Sequence, residues 1–172
     1  MMQANDHRDS GLVVRTARPD EYDAVGALTV QVYVGDGYVD PDNEYVEELA
    51  DVARRAAEAE ILVAVHEGAV AGSLTVARPG TPYAEIALPG ELEFRMLAVA
   101  KDARGLGVGT ALVRSVIDEA KAGGYAAVAL TTMGTMVDAH RIYERLGFVA
   151  VPERDWFTHD GLPLYVMRLA LS

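Results

Sequence analysis

Residues 94–124 read "FRMLAVAKDARGLGVGTALVRSVIDEAKAGG". An apolar run from Phe94 to Ala100 meets a polar bend at Lys101, Asp102 and Ala103. Gly105, Gly107 and Gly109 then stand at alternate positions, and a helical pattern follows without a break. Ala111, Leu112, Val113, Val116, Ile117 and Ala120 give that helix a broad apolar face, and Gly123 and Gly124 supply its stop. Glycine lowers helix propensity by about 1 kcal/mol relative to Ala, so glycines where a helix must start need a reason. A helix N-terminus offers unpaired N–H groups and about half a positive charge, and an anion can sit there if the backbone can come close. Charge-assisted N–H bonds to phosphate, at about 1.5–3 kcal/mol apiece, offset the lost propensity.

Three phosphate motifs compete for this loop. The dinucleotide pattern G-x-G-x-x-G fails, because Thr110 stands where the third glycine belongs. The acid expected at the end of the next strand is missing too, since that strand closes Leu130-Thr131-Thr132. These two absences count against a dinucleotide-dependent oxidoreductase. A P-loop needs Gly-Lys-Ser/Thr, which the chain lacks. The pattern R/Q-x-x-G-x-G/A fits residue for residue, with Arg104, Gly107 and Gly109.

Outward from the loop, the chain reads as alternating strands and helices. "LVVRTA" (12–17) is a short strand, and helical segments span about Asp20–Tyr33 and Asn43–Glu58. "ILVAVHE" (61–67) and "AVAGSLTVAR" (69–78) form a hairpin turning at Gly68, with Val70, Gly72, Leu74 and Val76 on one face. A Pro- and Gly-rich loop leads to a strand over Glu91–Val99. "YAAVALTT" (125–132) is a strand buried on both faces, "MVDAHRIYERLG" (136–147) a short helix, and "FVAV" and "LPLYVMRLAL" two last strands. The order β-α-α-β-β-β-α-β-α-β-β predicts a mixed sheet with helices, an α/β (α+β) domain over 11–172 behind a polar tail at 1–10.

Composition sets outer limits. The chain is 51% apolar and 24% charged over 172 residues, as expected of one globular domain. It has no Cys, hence no disulfide and no thiolate nucleophile, and the cytosol is the expected compartment. No apolar run approaches the ~20 residues that span a bilayer. The net charge of −11 argues against nucleic acid as a partner; it serves solubility and is compatible with a cationic substrate. His7, His66, His140 and His159 are scattered, so no metal site is expected, and His140 reads as an exposed helix residue.

The blocks "EFRMLAVAKDARGLGVGTALV" and "AHRIYERLGF", in this order and separated by a helix and a buried strand, resemble the GNAT superfamily of acetyl-CoA-dependent N-acetyltransferases. The resemblance covers nearly the whole chain in element order. It implies a GNAT-like fold, acetyl-CoA as cosubstrate without a metal, and a small-molecule or peptide amine as acceptor. It implies cofactor contacts from Leu97, Ala98 and Val99, whose strand would pair with the pantetheine arm. It further implies contacts from Arg104, Gly105, Leu106, Gly107, Val108, Gly109 and Thr110, which would hold the pyrophosphate, and from Tyr143. The N–H of Leu97 would face the thioester carbonyl. A homodimer is among the expected assemblies, and a non-catalytic acyl-CoA sensor on the same fold is the alternative function. The family's frequent Asn before the second block is replaced here by Met136.

The chemistry needs a neutral amine, and an alkyl amine with pKa near 10.4 is neutral in only about one part in 10³ at pH 7. Glu93 matches the position where several family members carry a catalytic base; as a strand residue it would instead pair with Arg95 on the same face. Tyr143 matches the family's general acid for the leaving thiolate, while its spacing with Ala139 and Leu146 also suits a core aromatic. The resemblance places the acceptor entrance beside the first two helices, where Asp36, Asp40, Asp42 and Glu44 would either give it a negative potential or form a solvated acidic loop.

Overall fold

The computed structural model describes residues 11–172; the tail expected at 1–10 lies outside the described residues. The strands are β1 (Leu12–Thr16), β2 (Glu60–His66), β3 (Ala69–Ala77), β4 (Glu91–Val99), β5 (Ala127–Thr132), β6 (Val149–Ala150), β7 (Trp156–Phe157) and β8 (Pro163–Ala170). The helices are α1 (Tyr22–Gly35), α2 (Tyr45–Ala50), α3 (Val52–Ala56), α4 (Val108–Ala122) and α5 (Val137–Arg145). The strands form one sheet in the order β1-β2-β3-β4-β5-β8-β6, and β7 pairs with β8. Neighbours run antiparallel except β4 and β5, which are parallel and joined through α4. This is the mixed α/β architecture that the pattern predicts.

The sheet is covered on both faces. α4 lays Leu112, Val113 and Val116 on Leu74, Leu92, Phe94 and Leu130, all fully or nearly fully buried. On the other face α1 and α2 bring Leu28, Val32 and Leu49 to Met96 and Ala98, and Val25 and Val52 meet Ile61 and Val63. Each such side chain contributes roughly 1.5–3 kcal/mol of burial, which is what fixes the helices to the strands.

Three local differences from the sequence pattern have physical causes. The helix expected over Asn43–Glu58 breaks at Asp51, which leaves helical geometry (φ −88°, ψ 73°) and accepts the Arg54 N–H at 3.2 Å, capping α3. The β2–β3 turn places Glu67 (φ 52°) and Gly68 (φ 80°) in left-handed conformations, as a tight two-residue hairpin requires. Two residues on, Val65 pairs with Val70 and Ala64 with Gly72, so Ala71 is an extra residue in β3. This bulge turns Val70 away from Leu74 and Val76 and packs it on the α1 face. β7 is two residues long, too short to leave an alternating pattern.

Candidate active site

A second bulge makes the site. Along β4, Phe94 packs on the α4 face, yet Met96 and Ala98, at the same parity, pack on the α1 face. The switch falls at Met96, whose φ of 61° costs a side-chain-bearing residue about 1–2 kcal/mol. The register with β3 jumps between Ser73 and Thr75 at the same place, leaving Met96 and Leu97 outside the paired positions. On the other edge β4 pairs with β5 only over Glu91–Phe94, while β5 stays with β8 as far as Thr132. Beyond Phe94 the two central strands part.

A cavity of about 1030 Å³ occupies the opening, room for a large cosubstrate and an acceptor together. Leu97 and Val99 line it from β4, Thr131 and Thr132 from β5, Ile142 and Tyr143 from α5, and Arg104, Gly105 and Gly107–Thr110 from the glycine loop. Of the residues expected at the cofactor, Ala98 and Leu106 do not line it: Ala98 is buried toward α1 and Leu106 points outward, 44% exposed.

The glycines have different tasks. Gly105 (φ 92°) and Gly107 (φ 78°, the residue before α4) sit in left-handed conformations, and a Cβ on either would meet open space. Gly109 lies inside the helix, where a Cβ would stand 2.7 Å from Ile142 Cδ1; its missing side chain lets α5 approach. The first backbone bond of α4 runs from the Ala111 N–H to the Gly107 carbonyl at 3.0 Å. The N–H groups of Val108, Gly109 and Thr110 therefore have no backbone acceptor among the described residues. Arg104 Nη2 donates to Asp36 Oδ2 at 2.8 Å, tying the loop to the end of α1.

Tyr143 is 4% exposed and belongs to an aromatic cluster, its ring 5.8 Å from Phe94 and 5.9 Å from Phe148. It also lines the cavity. The core reading and the cavity reading thus hold together. Burial, with Tyr38 adding to it, pushes the phenol up, so the hydroxyl keeps its proton across neutral pH.

Glu93 has 0% exposure and is absent from the cavity wall. Its Oε1 accepts the N–H groups of Glu85, Ile86 and Ala87 at 2.9, 3.0 and 3.0 Å, and its Oε2 is buried without a partner among the described residues. The ion pair expected with Arg95 does not form. Arg95 instead meets Glu85 at 3.2 Å and Glu48 at 3.6 Å, with the Tyr45 hydroxyl at 3.2 Å and the Tyr83 carbonyl at 3.1 Å. Glu48, Glu85, Arg95, Tyr33, Tyr38 and Tyr45 also line the cavity, and none of them was singled out as a site residue by the motifs. Of the acids between the first helices, Asp36 and Glu44 reach the cavity wall and Asp40 and Asp42 do not. His140 is half-buried, with Nε2 at 3.0 Å from Thr132 Oγ1, because α5 packs that face on the end of β5.

A sheet parted beside a parallel β4–β5 pair, with glycine loop and helix N-terminus at the opening, is the arrangement that the resemblance to acetyl-CoA-dependent acetyltransferases implies. The profile of the acetyltransferase (GNAT) family matches residues 22–148, and the chain belongs to that family. It is similar to an N-acetylaspartate synthetase of Danio rerio, 39% identical over 41% of this chain and 25% of that protein. It is also similar to an uncharacterized N-acetyltransferase of Schizosaccharomyces pombe, 34% identical over 49% of this chain and 50% of the other. The chain thus spans a quarter to a half of the length of these two relatives. Among solved structures, a GCN5-related N-acetyltransferase from Kribbella flavida superposes with a TM-score of 0.68 at 28% identity, covering 95% of this chain and 99% of the other. The protein yncA from Salmonella typhimurium, solved with its cofactor acetyl-CoA, shares the fold with a TM-score of 0.66 at 20% identity, covering 94% of each chain. Among the described residues no helix is long and apolar enough to cross a membrane.

Proposed function

We propose that this chain moves the acetyl group of acetyl-CoA to a primary amine of a small molecule or peptide, by direct attack within a ternary complex. The observation that carries the reading is one cavity that joins the open edge of β4 at Leu97 and Val99, the free N–H groups at the start of α4, and the Tyr143 hydroxyl. The residues present fit the cosubstrate. Gly105 and Gly107 leave clear backbone beside the helix N-terminus, and the cavity wall includes Thr131 and Trp156, whose Oγ1 and Nε1 are buried and lack a partner among the described residues. Val108, Gly109 and Thr110 would hold the pyrophosphate through N–H groups, and the Leu97–Val99 edge would hold the arm by strand addition. When bound, acetyl-CoA supplies an acetyl group activated as a thioester.

The chain's own part is to orient the reactants, exclude water and manage protons. The N–H of Leu97, outside the β3 register, is the donor for the oxygen where negative charge develops. Tyr143, kept protonated by burial, gives its proton to the departing thiolate. Asp36, Glu44, Glu48 and Glu85 in the wall favour a positively charged amine. The name of the synthetase relatives supports a small-molecule amine as the acceptor class, although the amino acid it names carries carboxylates that the acids of this wall would disfavour.

The test is in two parts. Acetyl-CoA at a hundred times its Kd should stabilise the fold by about 2.7 kcal/mol, which at this chain length is a rise of about 5–11 °C in melting temperature. A panel of primary amines should then elicit CoA release. An unmoved melting temperature with acetyl-CoA, together with a rise on adding NAD, would reject the reading.

A further inference from the structure

The position that the sequence marks for a base holds a carboxylate with no way into the cavity. Glu93 is fully enclosed, and one of its oxygens is spent on three consecutive backbone N–H groups. Those three groups belong to Glu85, Ile86 and Ala87, so what Glu93 does is fold the strip ahead of β4 back onto that strand. Two further contacts fasten the same strip: the Leu88 N–H donates to Glu91 Oε1 at 3.1 Å, and Arg154 Nη2 donates to the Ile86 carbonyl at 2.6 Å. The result is that the Glu85 side chain, 35% exposed, stands in the cavity wall at a fixed place, 3.2 Å from Arg95 Nε.

We propose that Glu85 receives the acceptor's ammonium group and takes its proton, and that Glu93 acts through it as the residue that positions the Glu85–Ala87 backbone. This rests on the acetyl transfer proposed above. The charged and titratable groups that face Glu85 are Arg95 from β4 and Glu48 and Tyr45 from α2. With the buried Arg55, whose Nη1 donates to the Glu48 carbonyl, and the enclosed Glu93, two guanidinium groups meet three carboxylates, and Arg95 interacts with all three. The Arg95 donors are already engaged, Nε on Glu85, Nη1 on the Tyr83 carbonyl, and Nη2 on Glu48 and Tyr45. One negative charge remains over, which an ammonium group neutralises and an acceptor carboxylate would double. Burial raises the Glu85 pKa, Arg95 opposes this and Glu48 adds to it, which brings the carboxylate nearer to the amine it must deprotonate. The protons balance. The ammonium gives one to Glu85, freeing the lone pair that forms the N–C bond as the C–S bond breaks. The second proton lost from nitrogen restores the one that Tyr143 gives to the thiolate, and Glu85 returns its own to water.

The experiment compares Glu85→Gln, Glu93→Gln and Glu93→Ala in two assays. The first reads kcat/KM against pH, with butylamine, spermidine, tyramine and glucosamine as acceptors. Gln at 93 keeps the oxygen that the three N–H groups need, so Glu93→Gln should lose less than tenfold and retain the acid limb of the profile. Glu85→Gln should lose 100-fold or more and lose that limb, and Glu93→Ala should fall toward it. If instead Glu93→Gln is as inactive as Glu93→Ala while Glu85→Gln stays within tenfold of the parent, the proposal is overturned. The second assay follows the Glu85 carboxyl carbon by NMR while butylammonium chloride is added without acetyl-CoA. The signal should shift in the parent and not in Glu93→Ala; an unmoved parent signal overturns the placement. The two readings fail separately, because CoA release from no amine would remove the proposed activity while the carboxyl signal still decides where an ammonium binds.

Discussion

Replacing Glu91 by Gln would test the clamp that holds the strip ahead of β4. Glu91 is 3% exposed; its Oε2 accepts from Arg168 Nε at 2.7 Å and its two oxygens accept from Arg154 at 2.9 and 3.0 Å. Burial alone would push this carboxyl up, but the bonds from Arg154, the Leu88 N–H and Arg168 outweigh it and hold the pKa at about 2, against an ordinary 4.5. By linkage that difference is worth about 3 kcal/mol of stability at neutral pH. Because the folded value is the lower one, the contribution is present above the ordinary carboxylate range and fades as pH falls toward 2. Glu91→Gln leaves two guanidinium groups without their anion and should unfold about 3 kcal/mol more easily at pH 7, about 6–12 °C lower in melting temperature. Urea unfolding of parent and variant from pH 7 to pH 2 reads this directly. The two curves should converge as the parent's carboxyl is protonated. A difference below 1 kcal/mol at pH 7, or one that does not narrow toward pH 2, would refute the reasoning.

Other positions give sharper contrasts between folding and binding. Gly107→Ala places a side chain at φ 78° beside the start of α4; it should cost about 1–2 kcal/mol of stability and weaken acetyl-CoA by roughly tenfold, read by calorimetric titration. Gly26→Ala puts a Cβ 2.5 Å from the Ala50 carbonyl oxygen, where α1 crosses the end of α2; it should destabilise by about 1–3 kcal/mol in urea with acetyl-CoA affinity retained in the folded fraction. Gly72→Ala meets Val108 Cγ1 at 2.6 Å and the Ala98 carbonyl oxygen at 3.0 Å, so it should lower the melting temperature and shift the NMR signals at the start of α4.

Residues that obey a period or a motif were legible in the sequence. The apolar face of α4, the doubly buried run of β5 and the spacing of Arg104, Gly107 and Gly109 gave the strand–loop–helix unit and the class of fold. The proposed acceptor end was not legible, because it depends on side chains that share no segment. Glu85 comes from a loop without a pattern, Glu48 from a six-residue helix and Arg95 from a strand interior. Nor does the residue type announce the bulge at Met96, since Met has no preference for positive φ; tertiary packing on both sheet faces imposes it. Glu93 shows the same limit in another form. Its place in the strand matches a family role, but the three N–H groups that occupy it come from six to eight residues upstream, and spacing alone does not reveal a loop folding back.

Amine-dependent acetyl transfer with Tyr143 as proton donor is tested most directly by CoA release from acetyl-CoA across a panel of primary amines, for the parent and for Tyr143→Phe. Phenylalanine keeps the ring between Phe94 and Phe148 and removes only the hydroxyl that lines the cavity. Amine-dependent release by the parent, slower by roughly 100-fold in the variant at unchanged acetyl-CoA affinity, is the predicted result. Release from no amine by a parent that binds acetyl-CoA, or an equal kcat in parent and variant, would contradict it.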